Sequence, residues 1–170
     1  MWQHTGKERP AFADAPGPDQ ESVWDYPRPP ALVDCSSLVE VFEGDSLVAS
    51  TRSAKRILET ASPPTYYLPP ESVDWDRLTR AKGSSFCEWK GTASYWASAC
   101  NPDGPVVGWS YENPSDPFES IEGYVSFYPS LLACKVDGER VLPQPGGFYG
   151  GWITSKVVGP FKGDPGTGHW

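Results

Sequence analysis

Within Ser85-Phe86-Cys87-Glu88-Trp89-Lys90-Gly91 a thiol, a carboxyl and an amine fall inside four consecutive residues. On a strand running from Phe86 to Lys90 side chains alternate, so Glu88 and Lys90 share one face and Cys87 and Trp89 the other. A carboxylate and an ammonium held together in a partly desolvated pocket tune each other's pKa and form an acid/base pair. On an open sheet surface the same residues make only an ion pair worth under about 1 kcal/mol. Cys87 is a candidate nucleophile where a nearby cation stabilises its thiolate, and a small core hydrophobe otherwise. The two histidines, His4 and His169, sit at the chain ends. The body of the chain therefore offers no imidazole for a Ser-His-Asp or Cys-His mechanism.

A second set of residues suits ligand binding. The tyrosines Tyr67, Tyr95, Tyr111, Tyr128 and Tyr149, with Trp89 and Trp96, are able to wall a flat ligand while their polar ends orient it, with Glu59, Glu139 and Gln144 as polar companions. The same rings also suit a β core. In Gln144-Pro145-Gly146-Gly147-Phe148-Tyr149-Gly150-Gly151-Trp152 the glycine pairs allow a tight backbone path, and amides such as that of Gly147 are then free to hold an anion or a carbonyl oxygen. Glycine for a turn or bulge is the alternative. Cys35, Cys87, Cys100 and Cys134 include no Cys-x-x-Cys pair and the histidines lie at the chain ends, so no metal site is expected, and no cofactor is expected either.

These residues need a scaffold, and the punctuation is that of an all-β chain. Leu38 to Phe42 and Ser46 to Ser50 flank Glu43-Gly44-Asp45 as a hairpin. Arg56 to Thr60 and Thr65 to Leu68 bracket Ser62-Pro63-Pro64, and Ala133 to Val136 and Glu139 to Leu142 bracket Asp137-Gly138, a pair suited to a type I′ turn. One or two short helices are expected, the marked one with Asp116 as N-cap, Pro117 at the first position, Glu119 completing a capping box and Gly123 closing it. Residues 1–30 hold six prolines and read as an N-terminal arm, of which 21–30, carrying Trp24 and Tyr26, form an ordered strap across the body or across a partner subunit. Residues 31–170 make a single β domain, a length that buries about 70% of the surface its unfolded form exposes.

A net charge of -8 argues against general affinity for nucleic acid or anionic membrane. Arg52, Lys55 and Arg56 then read as a solvated basic edge. No apolar run reaches membrane-span length, and Met1 to Lys7 lack the pattern of a signal peptide, so a cytoplasmic address is expected.

Glu59-Thr60, Pro63-Pro64-Thr65-Tyr66-Tyr67, Phe86-Cys87-Glu88-Trp89-Lys90-Gly91, Trp109-Ser110-Tyr111, Phe127-Tyr128-Pro129, Val136-Asp137-Gly138-Glu139-Arg140-Val141 and Pro143 to Trp152 together resemble the bacterial family called domain of unknown function 427. The resemblance spans about residues 21–170. It implies a mainly antiparallel fold similar to the tent-shaped β folds, without the zinc-binding cysteine pairs that some of those carry, and it brings no established activity. A nucleotidyl-transfer label sometimes attached to the family fits poorly. Such enzymes present Gly-Ser followed by Asp-x-Asp, whereas here Asp74-Trp75-Asp76 precedes Gly83-Ser84. The leading expectation is a domain that binds a small organic ligand in an aromatic, glycine-bordered pocket, with Glu88, Lys90 and Cys87 as candidate catalytic groups. The rival is a homo-oligomeric interaction module docked through the arm, and nucleotidyl transfer ranks last.

Overall fold

The computed structural model describes residues 2–170, so the first residue of the arm lies outside the described residues. In chain order the strands are β1 (Glu21–Ser22), β2 (Ala31–Cys35), β3 (Val39–Glu43), β4 (Ser46–Thr51), β5 (Ala54–Leu58), β6 (Thr65–Tyr67), β7 (Leu78–Cys87), β8 (Gly91–Ser98) and β9 (Val106–Tyr111). There follow β10 (Val125–Phe127), β11 (Ala133–Val136), β12 (Glu139–Arg140), β13 (Leu142–Pro143), β14 (Trp152–Ile153) and β15 (Val157–Val158). Strands dominate and the helical segments are short 3-10 turns, so the chain is all-β. Turn chemistry sets several pairings. Asp137 and Gly138 take φ of 49° and 82°, the two positive angles of a type I′ turn, and they return β11 onto β12. Gly44 at φ 59° closes β3 onto β4.

Two antiparallel sheets, β2-β5-β6 and β10-β9-β8-β7, join where the amides of Leu68 and Val125 each donate to the other's carbonyl, at 2.8 and 2.9 Å. One long twisted surface results. Its inner face packs on the sheet β12-β11-β3-β4, and Val39, Val41, Tyr66, Leu68, Val125 and Phe127 bury the core between them. Trp152 completes that core, stacked on Tyr66 with 4.8 Å between ring centres and donating its Nε1–H to the Phe127 carbonyl at 2.9 Å. Strand alternation sends Ile57, Tyr67, Ala93, Tyr95, Trp109 and Tyr111 to the opposite face, where they gather with Phe118 and Ile121 in a second cluster. That second face carries the candidate site.

The strap lies across its own chain. Val23 and Trp24 are fully buried beside Leu58, Ala61 and Val157, the Ser22 hydroxyl caps the turn by accepting from the Trp24 amide, and the Trp24 indole N–H donates to the Pro160 carbonyl at 3.2 Å. At the basic edge, Lys55 pairs with Asp34 and Arg56 with Glu21.

Two local expectations need correction. The strand ends at Cys87, which pairs with Gly91, and residues 88–90 form the turn to β8, with Gly91 at φ 102° bringing the chain back. Alternation therefore does not reach Glu88 and Lys90. The short helix, Asp116–Ile121, is 3-10 and starts from Ser115 without a side-chain cap. Asp116 occupies its first turn and no capping box forms, because the Ser115 hydroxyl donates to the Trp89 carbonyl and its amide donates to that of Lys90. The helix is thus pinned to the 88–90 turn by tertiary contacts. Among the described residues no helix is long and apolar enough to cross a membrane.

Candidate functional site

On the outer face of the long sheet lies a cavity of about 360 Å³, within the size range of small-ligand pockets. Its floor is aromatic because β6, β8 and β9 turn Tyr67, Tyr95, Trp109 and Tyr111 to this side. Trp109 is central: its Nε1–H donates to the Tyr67 hydroxyl at 3.3 Å, and its ring lies 4.6 Å from that of Tyr128. One wall is the β7–β8 turn with Cys87, Glu88, Trp89 and Lys90, and the facing wall is Gln144 with Phe148, Tyr149 and Gly150.

The turn delivers Lys90 inward, its ammonium 5.8 Å from the Tyr111 ring centre and in contact with Cys87. Burial disfavours this ammonium, but Tyr67, Cys87 and Glu59 around it favour the charged form more, and its pKa lies above the usual lysine value. Lys90 is therefore a cation through the neutral range. Burial likewise raises the phenols of Tyr67, Tyr111 and Tyr128, leaving them as neutral hydrogen-bonding groups. Glu88 is exposed and acts electrostatically on Lys162. Glu59 reaches both lysines and accepts from the buried Arg28 guanidinium at 3.2 Å.

The facing wall is held by one buried amide. The Gln144 side chain donates to the Lys162 carbonyl at 2.7 Å and accepts from the Gly151 amide at 3.0 Å, so it positions the loop with both polar atoms engaged. A Cβ on Gly150 would overlap the Trp109 ring, and one on Gly146 or Gly163 would strike the other strand of the crossing they form. Glycine here serves close approach.

Cys87, Lys90, Glu59, Tyr67, Trp89, Tyr95, Tyr111, Tyr128, Gln144 and Tyr149 meet around this cavity, with Glu88 at its edge. Three candidates lie elsewhere. Glu139 sits outside and accepts from the Ser155 amide and hydroxyl at 2.6 and 2.7 Å, Gly147 occupies a turn at φ 74°, and Trp96 faces away, donating to the Ser110 hydroxyl at 3.0 Å. The sequence reading missed Trp109, Lys162, Phe148 and Trp2. Trp109 was reachable, being two residues before Tyr111 on the same strand face. Lys162 was not, since it stands alone in Phe161-Lys162-Gly163 and is placed by a contact from 18 residues away. Among the described residues no group of three or more His, Cys, Asp or Glu side chains is arranged to hold a metal ion.

No curated protein matches the chain. Residues 31–142 match the family described as a domain of unknown function, DUF427, a stretch that carries the sheet floor and the Cys87–Lys90 wall and stops before Gln144 and Lys162. The chain belongs to the DUF427 family.

Proposed function

We propose that the cavity binds a small organic molecule with a flat apolar body and an anionic or carbonyl end, the body against Trp109 and Tyr128 and the end toward Lys90. The observation that carries this reading is the Lys90 ammonium, enclosed by rings and without a salt bridge among the described residues. A cation drawn out of water costs free energy unless an acceptor meets it. A ligand oxygen would meet it here, with the Tyr67 and Tyr111 hydroxyls and the Cys87 thiol around the same point. In this arrangement the acid/base role passes from a Glu88–Lys90 pair to Lys90 with Glu59 behind it. Calorimetric titration with a panel of small aromatic carboxylates tests the reading. Binding by the wild type, weakened by about tenfold in Lys90→Met, is the expected result, since a hydrogen bond to a charged group contributes about 1.5–3 kcal/mol. A panel that fails to bind, or binds both proteins alike, overturns it.

The readings as an oligomeric module and as a nucleotidyltransferase find less support. Trp24 of the strap is fully covered by its own chain, leaving none of its ring for a neighbour. Asp74 accepts from the Asp76 amide and pairs with Arg77 at 3.4 Å, apart from the cavity lining.

A further inference from the structure

We propose that Lys162 is an imine-forming amine and that the cavity takes small carbonyl compounds bearing a carboxylate, the carboxylate meeting Lys90 and the carbonyl carbon meeting the Lys162 Nζ. This rests on the reading of the cavity as a ligand site and adds the substrate class. Lys162 lines the cavity yet is only 4% exposed, under a thin cover in which the Trp2 ring centre lies 4.4 Å and the Tyr149 ring centre 5.5 Å from its Nζ. Its backbone is fixed at both ends, the amide donating to the Ala61 carbonyl at 2.8 Å and the carbonyl accepting from Gln144. Among the described residues no carboxylate lies within ion-pair distance of it. Instead the Arg28 guanidinium stacks on the same Trp2 ring at 4.0 Å.

A lysine desolvated beside a second cation is the standard environment of an amine nucleophile. The charged groups around Lys162 are Arg28 from the strap, Glu59 after β5 and Glu88 from the β7–β8 turn. Burial and then Arg28 lower its pKa, and the two glutamates only partly offset them. Lys90, in the same cavity, is shifted the opposite way. Two amines whose environments drive their pKa values apart divide the roles of nucleophile and acid.

The step balances without an outside oxidant or reductant. The Nζ lone pair bonds to the carbonyl carbon while the C=O π pair moves onto oxygen, which takes a proton from Lys90 or water. The carbinolamine then expels that oxygen as water, which carries the donated proton and one hydrogen of the neutral amine, while the other amine hydrogen returns to the group that gave the proton, leaving C=N.

The test is reductive trapping of the full chain with 4-formylbenzoate and sodium cyanoborohydride at neutral pH, followed by peptide mapping. The hydride adds to the imine carbon and fixes a secondary amine. The chain has seven lysines, so six serve as internal standards and mapping separates the N-terminal amine. Labelling of Lys162 about tenfold faster than the median of the others is the expected result, with that label absent in Lys162→Arg. Terephthalate, which lacks the aldehyde, is titrated in parallel by calorimetry. Terephthalate binding without preferential Lys162 labelling overturns the imine and leaves the ligand site standing. Neither binding nor preferential labelling overturns both, and labelling centred on Lys90 also overturns the proposal.

Discussion

Glu59→Gln reaches both the fold and the site. The Arg28 side chain is 2% exposed and that of Glu59 is 23% exposed, with 3.2 Å between Nε and Oε2. Removing one partner of a fully buried pair costs about 3–5 kcal/mol. Here Arg28 keeps the His4 and Thr60 carbonyls at 3.0 and 3.1 Å and the Trp2 ring, and the glutamine oxygen still accepts. The expected loss is accordingly about 2 kcal/mol, nearer the value of one hydrogen bond to a charged group. With a urea dependence of about 2 kcal/mol/M, the unfolding midpoint at pH 7 falls by about 1 M. The same change removes a negative neighbour from Lys162, so trapping at Lys162 extends to lower pH in the variant. A midpoint within about 0.2 M of wild type would show that Arg28 does not depend on this carboxylate.

Gly150→Ala places a methyl against the Trp109 ring and costs about 1–3 kcal/mol as overpacking, with weaker ligand binding because the loop moves outward; urea unfolding and calorimetry read the two effects. Burial pushes the Cys134 thiol up to about 12, so iodoacetamide at pH 8 leaves Cys134 unmodified while the exposed Cys100 reacts first, as peptide mapping with time would record. The Arg56 hydrogen bond, ahead of the Tyr26 hydroxyl, holds the Glu21 carboxyl below its ordinary range against the opposing effect of burial. That contribution is fully present above the unfolded carboxylate pKa and lost as pH falls through the folded one. The difference in urea midpoint between wild type and Glu21→Gln therefore shrinks from pH 7 to pH 3, and the pair contributes about 1 kcal/mol or less because its carboxylate is open to solvent.

Legibility in the sequence followed the range of the interaction. Asp137-Gly138 was readable because positive φ at two adjacent residues is a local demand that few pairs meet. The aromatic floor was readable because Tyr67, Tyr95 and Tyr111 alternate on the parts of their strands that stay in register, ahead of the irregularity at Trp96/Ala97. The Glu88–Lys90 pairing does not form because the ladder ends at Cys87, three residues before Lys90, and Gly91 is the local sign of that turn. Lys162 was hidden for a different reason. Its surroundings come from the strap, the end of β5, the β7–β8 turn and the Gln144 loop, four segments whose convergence exists only in the folded chain.

Binding of a small organic ligand at Lys90 is read most directly from a proton-nitrogen correlation spectrum recorded while aromatic carboxylates and 2-oxo acids are added. Shifts at the Trp109 indole N–H and at the amides of Cys87 to Lys90, absent in Lys90→Met, are the expected result. Shifts that leave these groups unmoved, or no shift with any compound, would contradict it.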